Sequence, residues 1–222
     1  MNYYSEKDIR DIVTGVLAQS KFGAADSCTE MSEPIPVEVS ARHVHLTQEA
    51  LEKLFGKGYQ LTKKKELSQP GEFLSGERVK LVTQRGEIAN VAVLGPVRKQ
   101  VQVEVSATDS RTLGIKVPVC LSGDLVGGAD MLIIGPKGIL EANECTIVAQ
   151  AHVHMTPEDA KHYGVTDGQV LSIRLQTERP VTLDSVIVRV KQASKLAVHV
   201  DFDEANAALV DGNTTGMIVK RG

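Results

Sequence analysis

The feature that most constrains this chain is a block that occurs twice. RHVHLTQEALEKLFGKGY (42–59) matches AHVHMTPEDAKHYGVTDG (151–168): both histidines, the valine between them and the following threonine are identical. Each copy reads as strand, His-Val-His, apolar residue, threonine, helix and glycine turn. Thr156 is a good helix cap, with Pro157 at the first helical position and Asp159 placed to complete a capping box. Thr47 can cap a helix starting at Gln48 in the same way. The repeat predicts two related, pseudo-symmetric modules that meet each other.

The sequence around the repeat is mostly strand-like. Val-rich runs bounded by Gly, Pro, Asn or Asp fall at 36–45, 78–84, 90–95, 100–106, 114–122, 169–175, 180–190, 196–202 and 216–221. Beyond the N-terminal segment, only 48–56, 157–163 and 203–209 read as helices. Many short strands with few helices predict barrels or sandwiches, not a doubly wound sheet. Of the 222 residues 42% are apolar and 24% charged, as in an ordinary globular chain. No apolar run approaches the roughly 20 residues of a membrane helix, so no membrane partner is expected. A net charge of −3 supplies no general basic field, which argues against nucleic acid. Cys28, Cys120 and Cys145 are odd in number and widely spaced, and read as free thiols of a reducing cytosol. The first 30 residues lack the apolar core of a secretory signal.

Residues 1–20 stand apart. Ile9, Ile12, Val13, Val16 and Leu17 trace one helical face, and Ser5 with Asp8 reads as a capping box. The stretch 20–36 is polar, ends in two prolines and reads as a linker. An isolated helix of this length is marginal in water. Its apolar stripe therefore needs cover, either on its own domain or on a partner. A membrane-surface role is disfavoured, because the polar face mixes acids with Lys and Arg.

Residues i and i+2 of a strand share a face. His43 and His45 therefore project together, as do His152 and His154, and imidazole pairs suit zinc. His199, in the strand-like 196–202, is a fifth candidate. In 98–106, Arg98 and Glu104 fall on the face opposite Val101, Val103 and Val105. His162 has no such support and reads as a surface residue. From these residues alone the reading is a β-rich protein binding one or two divalent metals, with the substrate open.

The blocks SARHVHLT (40–47), LGPVRKQVQVEVS (94–106), GVTDGQ (164–169) and LAVHVDFDEANA (196–207) resemble the PduL-type phosphotransacylases, or phosphate propanoyltransferases, over about 36–222. The resemblance implies a mainly β fold of two β-barrels capped by short helices. It divides the chain into a helix and linker at 1–33, one barrel from 34–41 plus 150–222, and a second from 42–149. A small two-stranded insertion near 74–86 would lie over the site. It implies two zinc ions per chain, one on His43, His45 and Glu104, the other on His152, His154 and His199. Arg98 matches the family's phosphate-positioning arginine. Ser40, Lys65, Leu94, His199 and Asn206 would contact coenzyme A. The reaction would be acyl transfer between short-chain acyl-CoA (propanoyl or acetyl) and phosphate. The setting would be the lumen of a cytoplasmic bacterial microcompartment, as in propanediol degradation, with residues 1–20 binding shell or core proteins of the compartment. A homo-oligomer is expected. Two other classes fit the same residues: a zinc-dependent acyl-CoA thioesterase, and a noncatalytic, metal-stabilised shell-associated protein.

Overall fold

The structure, a computed structural model, describes residues 29–30 and 33–220. The amphipathic helix expected over 1–20 and most of the linker after it lie outside the described residues. The chain starts with β1 (Thr29–Glu30) and β2 (Ile35–Ser40), then passes to β3 (His43–His45) and α1 (Gln48–Phe55). β4 (Lys63–Glu66), β5 (Phe73–Val82), β6 (Glu87–Gly95), β7 (Gln102–Val105) and α2 (Ala107–Leu113) follow. Next come β8 (Val119–Cys120), β9 (Ala129–Ile134) and β10 (Ile139–Ala149). The second repeat supplies β11 (His152–Met155) and α3 (Pro157–Tyr163). β12 (Val170–Gln176), β13 (Thr182–Val190), β14 (Ala197–Asp201), α4 (Phe202–Ala208) and β15 (Thr215–Lys220) complete the fold.

These strands close into two six-stranded barrels. One ring runs β2–β15–β12–β13–β11–β14 and returns to β2, with β1 outside on β15. The other runs β5–β6–β3–β7–β10–β9 and returns to β5, with β4 and β8 as outer additions. Each ring fills with its own apolar cluster. Ile35, Val153, Met155, Ile173 and Val198 belong to the first, and Val44, Leu46, Leu81, Val93 and Ile133 to the second. Full closure leaves no unpaired edge within either ring. The mainly β, two-barrel expectation with short capping helices holds.

The repeat is structural as well as sequential. β3 runs parallel to β6 and antiparallel to β7, and β11 runs parallel to β13 and antiparallel to β14. After each His-Val-His, a fully buried Leu46 or Met155 anchors the chain. A threonine then caps the helix: Thr47 Oγ1 accepts from Ala50 N at 3.1 Å, and Thr156 Oγ1 from Asp159 N at 3.1 Å. Such caps are each worth about 1 kcal/mol.

Four local expectations change. The run 36–45 is not one strand, because the chain leaves one barrel at Ser40 and enters the other at His43. The stretch 74–86 is not a separate insertion. Most of it is β5, whose Val79 and Leu81 point into the second core while the strand pairs with β6 and β9. Only Val119 and Cys120 of 114–122 form a strand. Helix α2 and the β9–β10 pair were not expected. α2 lacks an apolar stripe, burying only Leu113 among its apolar residues, and is held by a Ser106–Asp109 capping box.

Candidate active site

The two His-Val-His strands present their rings alike. His43 Nδ1 lies 2.8 Å from the Ala41 carbonyl, and His152 Nδ1 lies 2.8 Å from the Gln150 carbonyl. A carbonyl only accepts, so each Nδ1 carries the proton and each Nε2 keeps its lone pair. Those lone pairs face the second ring of each pair, at 3.2 Å for His43–His45 and 3.1 Å for His152–His154, Nε2 to Nε2. Two ligands on one tetrahedral ion, each about 2.0–2.1 Å from it, stand about 3.3 Å apart. The spacing fits a shared metal.

A third ligand completes each set. Glu104 Oε2 lies 3.5 Å from His43 Nε2. It arrives because His43 is in register with Glu104 on the antiparallel neighbour. His199 occupies the same place beside His152. Its ring centre lies 5.3 Å from that of His152 and 4.7 Å from that of His154. In each triad the potential ligand atoms all lie within 4.8 Å of one another, and either set could hold a metal ion. The buried Nδ1 atoms of His45 and His154 have no hydrogen-bond partner among the described residues.

The surroundings keep these groups in their ligating forms. Burial pushes His45 down to about 2, His152 to about 4 and His154 to about 3, so all three are neutral at pH 7. Burial alone would raise Glu104, but the His43 ring, the Ser122 hydroxyl and Arg98 outweigh it and hold the carboxyl below the usual range. Gln102 donates to Glu104 and to Ser122 Oγ. Glu38 is in register with His199 and lies 3.2 Å from its Nε2, though outside hydrogen-bond alignment, and it also accepts from Ser68. His199 and, against burial, Ser68 hold Glu38 below the ordinary carboxylate range.

Both triads open on one cleft of about 690 Å³, lined from both barrels. Arg98 reaches it from the 96–101 turn after β6, off the strand where alternation had set it. Its backbone N–H donates to Leu46 O at 2.8 Å, and its Nη2 donates to Glu72 Oε1 at 2.8 Å. Glu72 ends a strap, 67–72, that borders the cleft. Gln69 ties the strap to the other barrel, donating to Lys195 O at 2.9 Å and accepting from Lys195 N at 3.2 Å. Ser40, Leu94 and His199 line the cleft with the triads, whereas Lys65 and Asn206 are exposed and outside its lining. His162 is on the surface, 3.3 Å from Glu33. Cys120 and Cys145 are free thiols, and Cys28 lies outside the described residues. Among the described residues no helix is long and apolar enough to cross a membrane.

Sequence reasoning did not single out Glu38, Ser68, Gln69, Glu72, Gln102 or Ser122 as part of the site. Strand alternation put Gln102 on the Glu104 face, but the others depend on which strands and loops become neighbours.

Fold and site together define a class: a double-barrel protein with two triads able to hold metal ions at one cleft, and a guanidinium beside them. The profile of the phosphate propanoyltransferase family matches residues 36–211. The chain is 46% identical over 214 residues to a phosphate propanoyltransferase of Priestia megaterium, covering 96% of each chain. It is 46% identical over 187 residues to one of Clostridioides difficile, covering 84% of this chain and 90% of that one. A Thermotoga maritima relative of the same name is 48% identical over 187 residues, covering 84% and 89%. The chain belongs to the phosphate propanoyltransferase family, a family of acyltransferases.

Proposed function

We propose that this chain catalyses acyl-CoA + phosphate ⇌ acyl phosphate + CoA, with a propanoyl or acetyl group, at a dinuclear zinc site formed by the two triads. The observation that carries this reading is the convergence of both triads and Arg98 on one cleft, in a member of this family. Phosphate oxygen forms a bond to the acyl carbon, the carbon–sulfur bond breaks, and the phosphate proton passes to the departing thiolate. Metal at the triads would supply Lewis acidity toward phosphate and thioester oxygens and a soft contact for the sulfur.

The chain's own residues do the positioning. Arg98 offers a planar fork that matches phosphate oxygens, which Lys would match less well. Glu72 Oε1 accepts from the same fork at 2.8 Å, so phosphate would compete with one carboxylate for it. The Ala41 and Gln150 carbonyls fix the rings of His43 and His152, and Gln102 fixes Glu104. Such preorganisation spares reorganisation at the moment of reaction. Neither described cysteine lines the cleft. The reading is therefore direct transfer without an acyl-enzyme, and ping-pong kinetics with a trapped acyl-enzyme would refute it.

Ser40, Leu94 and His199 would touch coenzyme A within the cleft, with Lys65 and Asn206 meeting it farther out. Residues 1–20 would carry the protein into a microcompartment. The chain would divide into a tether at 1–33, one barrel from 34–41 with 150–222 and the other from 42–149. The deciding assay is thiol release from propanoyl-CoA and acetyl-CoA, with and without phosphate, before and after chelation. Release that requires both phosphate and metal supports the transferase. Metal-dependent release without phosphate would identify a thioesterase. No release, and no CoA binding with metals intact, would leave a scaffold.

A further inference from the structure

The two barrels repeat more than their histidines. His43 is in register with Glu104, and His45 with Leu94 on the parallel neighbour. In the other barrel His152 is in register with His199, and His154 with Arg189. Residues in register on adjacent strands project to the same face. Arg189 is thus the counterpart of Leu94, on the face that carries the second triad. A second correspondence follows the buried anchors. Arg98 N donates to Leu46 O at 2.8 Å, and Lys191 N donates to Met155 O at 3.0 Å. Arg98 and Lys191 therefore occupy equivalent points after the two repeats.

The cationic side chains lining the cleft differ in how they are paired. Arg42 holds Asp109 through two contacts, at 2.9 and 2.8 Å. Arg98 holds Glu72. The side chains of Arg189 and Lys191 also line the cleft, and among the described residues neither makes a hydrogen bond or ion pair. A partly buried guanidinium beside neutral imidazoles, with no carboxylate to complete it, is suited to an anion from outside.

We propose that Arg189, with Lys191 beside it, is a second phosphate-group site, on the opposite barrel from Arg98. This rests on the transacylase reading, in which two phosphate-bearing reactants enter one cleft: inorganic phosphate or acyl phosphate, and the diphosphate of coenzyme A. Arg98 takes one set of phosphoryl oxygens and Arg189 the other.

The test compares the metal-loaded wild type with Arg189→Gln, Arg189→Lys and Lys191→Gln. KM is measured for phosphate, for propanoyl-CoA and for a propanoyl-pantetheine thioester that lacks the nucleotide phosphates. Calorimetric titrations with phosphate alone and with CoA alone, and metal content, accompany them. Arg189→Gln should raise the KM and Kd of one reactant roughly 10- to 100-fold, with Arg189→Lys between it and the wild type and metal content unchanged. A rise for CoA that vanishes with the pantetheine thioester assigns the coenzyme diphosphate, and a rise confined to phosphate assigns inorganic phosphate. Unchanged constants for both reactants, or loss of metal from the arginine variants, would overturn the proposal. A wild type that shows no phosphate-dependent thiol release defeats the transacylase reading instead, and the two titrations still decide whether Arg189 binds these anions.

Discussion

The burial of neutral His152 has a measurable consequence for the metal-stripped protein. This residue is 6% exposed, and burial lowers its pKa from 6.5 to about 4. The unfolded chain takes up a proton near pH 6.5 that the folded chain refuses until about pH 4. Below pH 6.5 the unfolded state therefore binds more protons, and stability falls as pH falls, down to the folded value. At about 1.36 kcal/mol per pH unit, the loss between pH 7.5 and 5.0 is about 2 kcal/mol. Glu204 works in the opposite sense. Burial raises it from 4.5 to about 7, so the folded state protonates first and acidification through that window is stabilising. A single pH profile mixes these with His45 and His154, which burial lowers in the same sense as His152, whereas a difference between proteins that differ only at His152 cancels Glu204 and the other two imidazoles. Urea unfolding of chelator-treated wild type and His152→Gln, each at pH 7.5 and 5.0, isolates the histidine. The wild type should lose about 2 kcal/mol more than the variant. If the variant loses as much as the wild type, burial of neutral His152 does not contribute.

Glu72→Gln should lower the KM for phosphate, because phosphate then no longer competes with a carboxylate for Arg98. The Arg98–Glu72 side chains are 29% and 37% exposed, which limits the pair to about 0.2–1 kcal/mol, or about 1.4- to 5-fold in steady-state KM. Arg98→Ala should cut turnover about 10²-fold or more with metal content intact, if it resembles other lost oxyanion donors at about 2.7–4 kcal/mol. Unchanged turnover would remove Arg98 from the mechanism. His154→Ala or His199→Ala should lose about one metal per chain by elemental analysis, and full occupancy would contradict the second triad.

The repeat was legible because strand and cap chemistry are local. His-Val-His has one parity whatever its neighbours, and Thr156, Pro157 and Asp159 start a helix from adjacent positions. Glu104 was legible as a face, since alternation from Val103 and Val105 sets it. What could not be read is pairing. Nothing near Glu38 says that it will lie beside His199, because that depends on β2 closing the far barrel on β14. The same holds for Gln69, which meets Lys195 across 126 residues. The Ala41–Arg42 break was hidden because strand-like residues flank it on both sides. β10 escaped for a different reason: Asn143 and Glu144 interrupt the apolar pattern where the strand register shifts.

The strand order also dictates when each half can exist during synthesis. Every stave of the ring containing β3 is supplied by the continuous stretch from β3 to β10, so that ring can close while the ribosome is still translating. The other ring borrows β2 from ahead of that stretch and needs β15, the last of the described strands, to join β2 to β12. Its early stave must wait, unpaired, for nearly the whole chain to emerge. A nascent chain therefore gains His43, His45 and Glu104 as a set well before the second triad has a closed wall behind it. A stop codon that removed only the final stave would spare the first triad's ring and leave the other ring open.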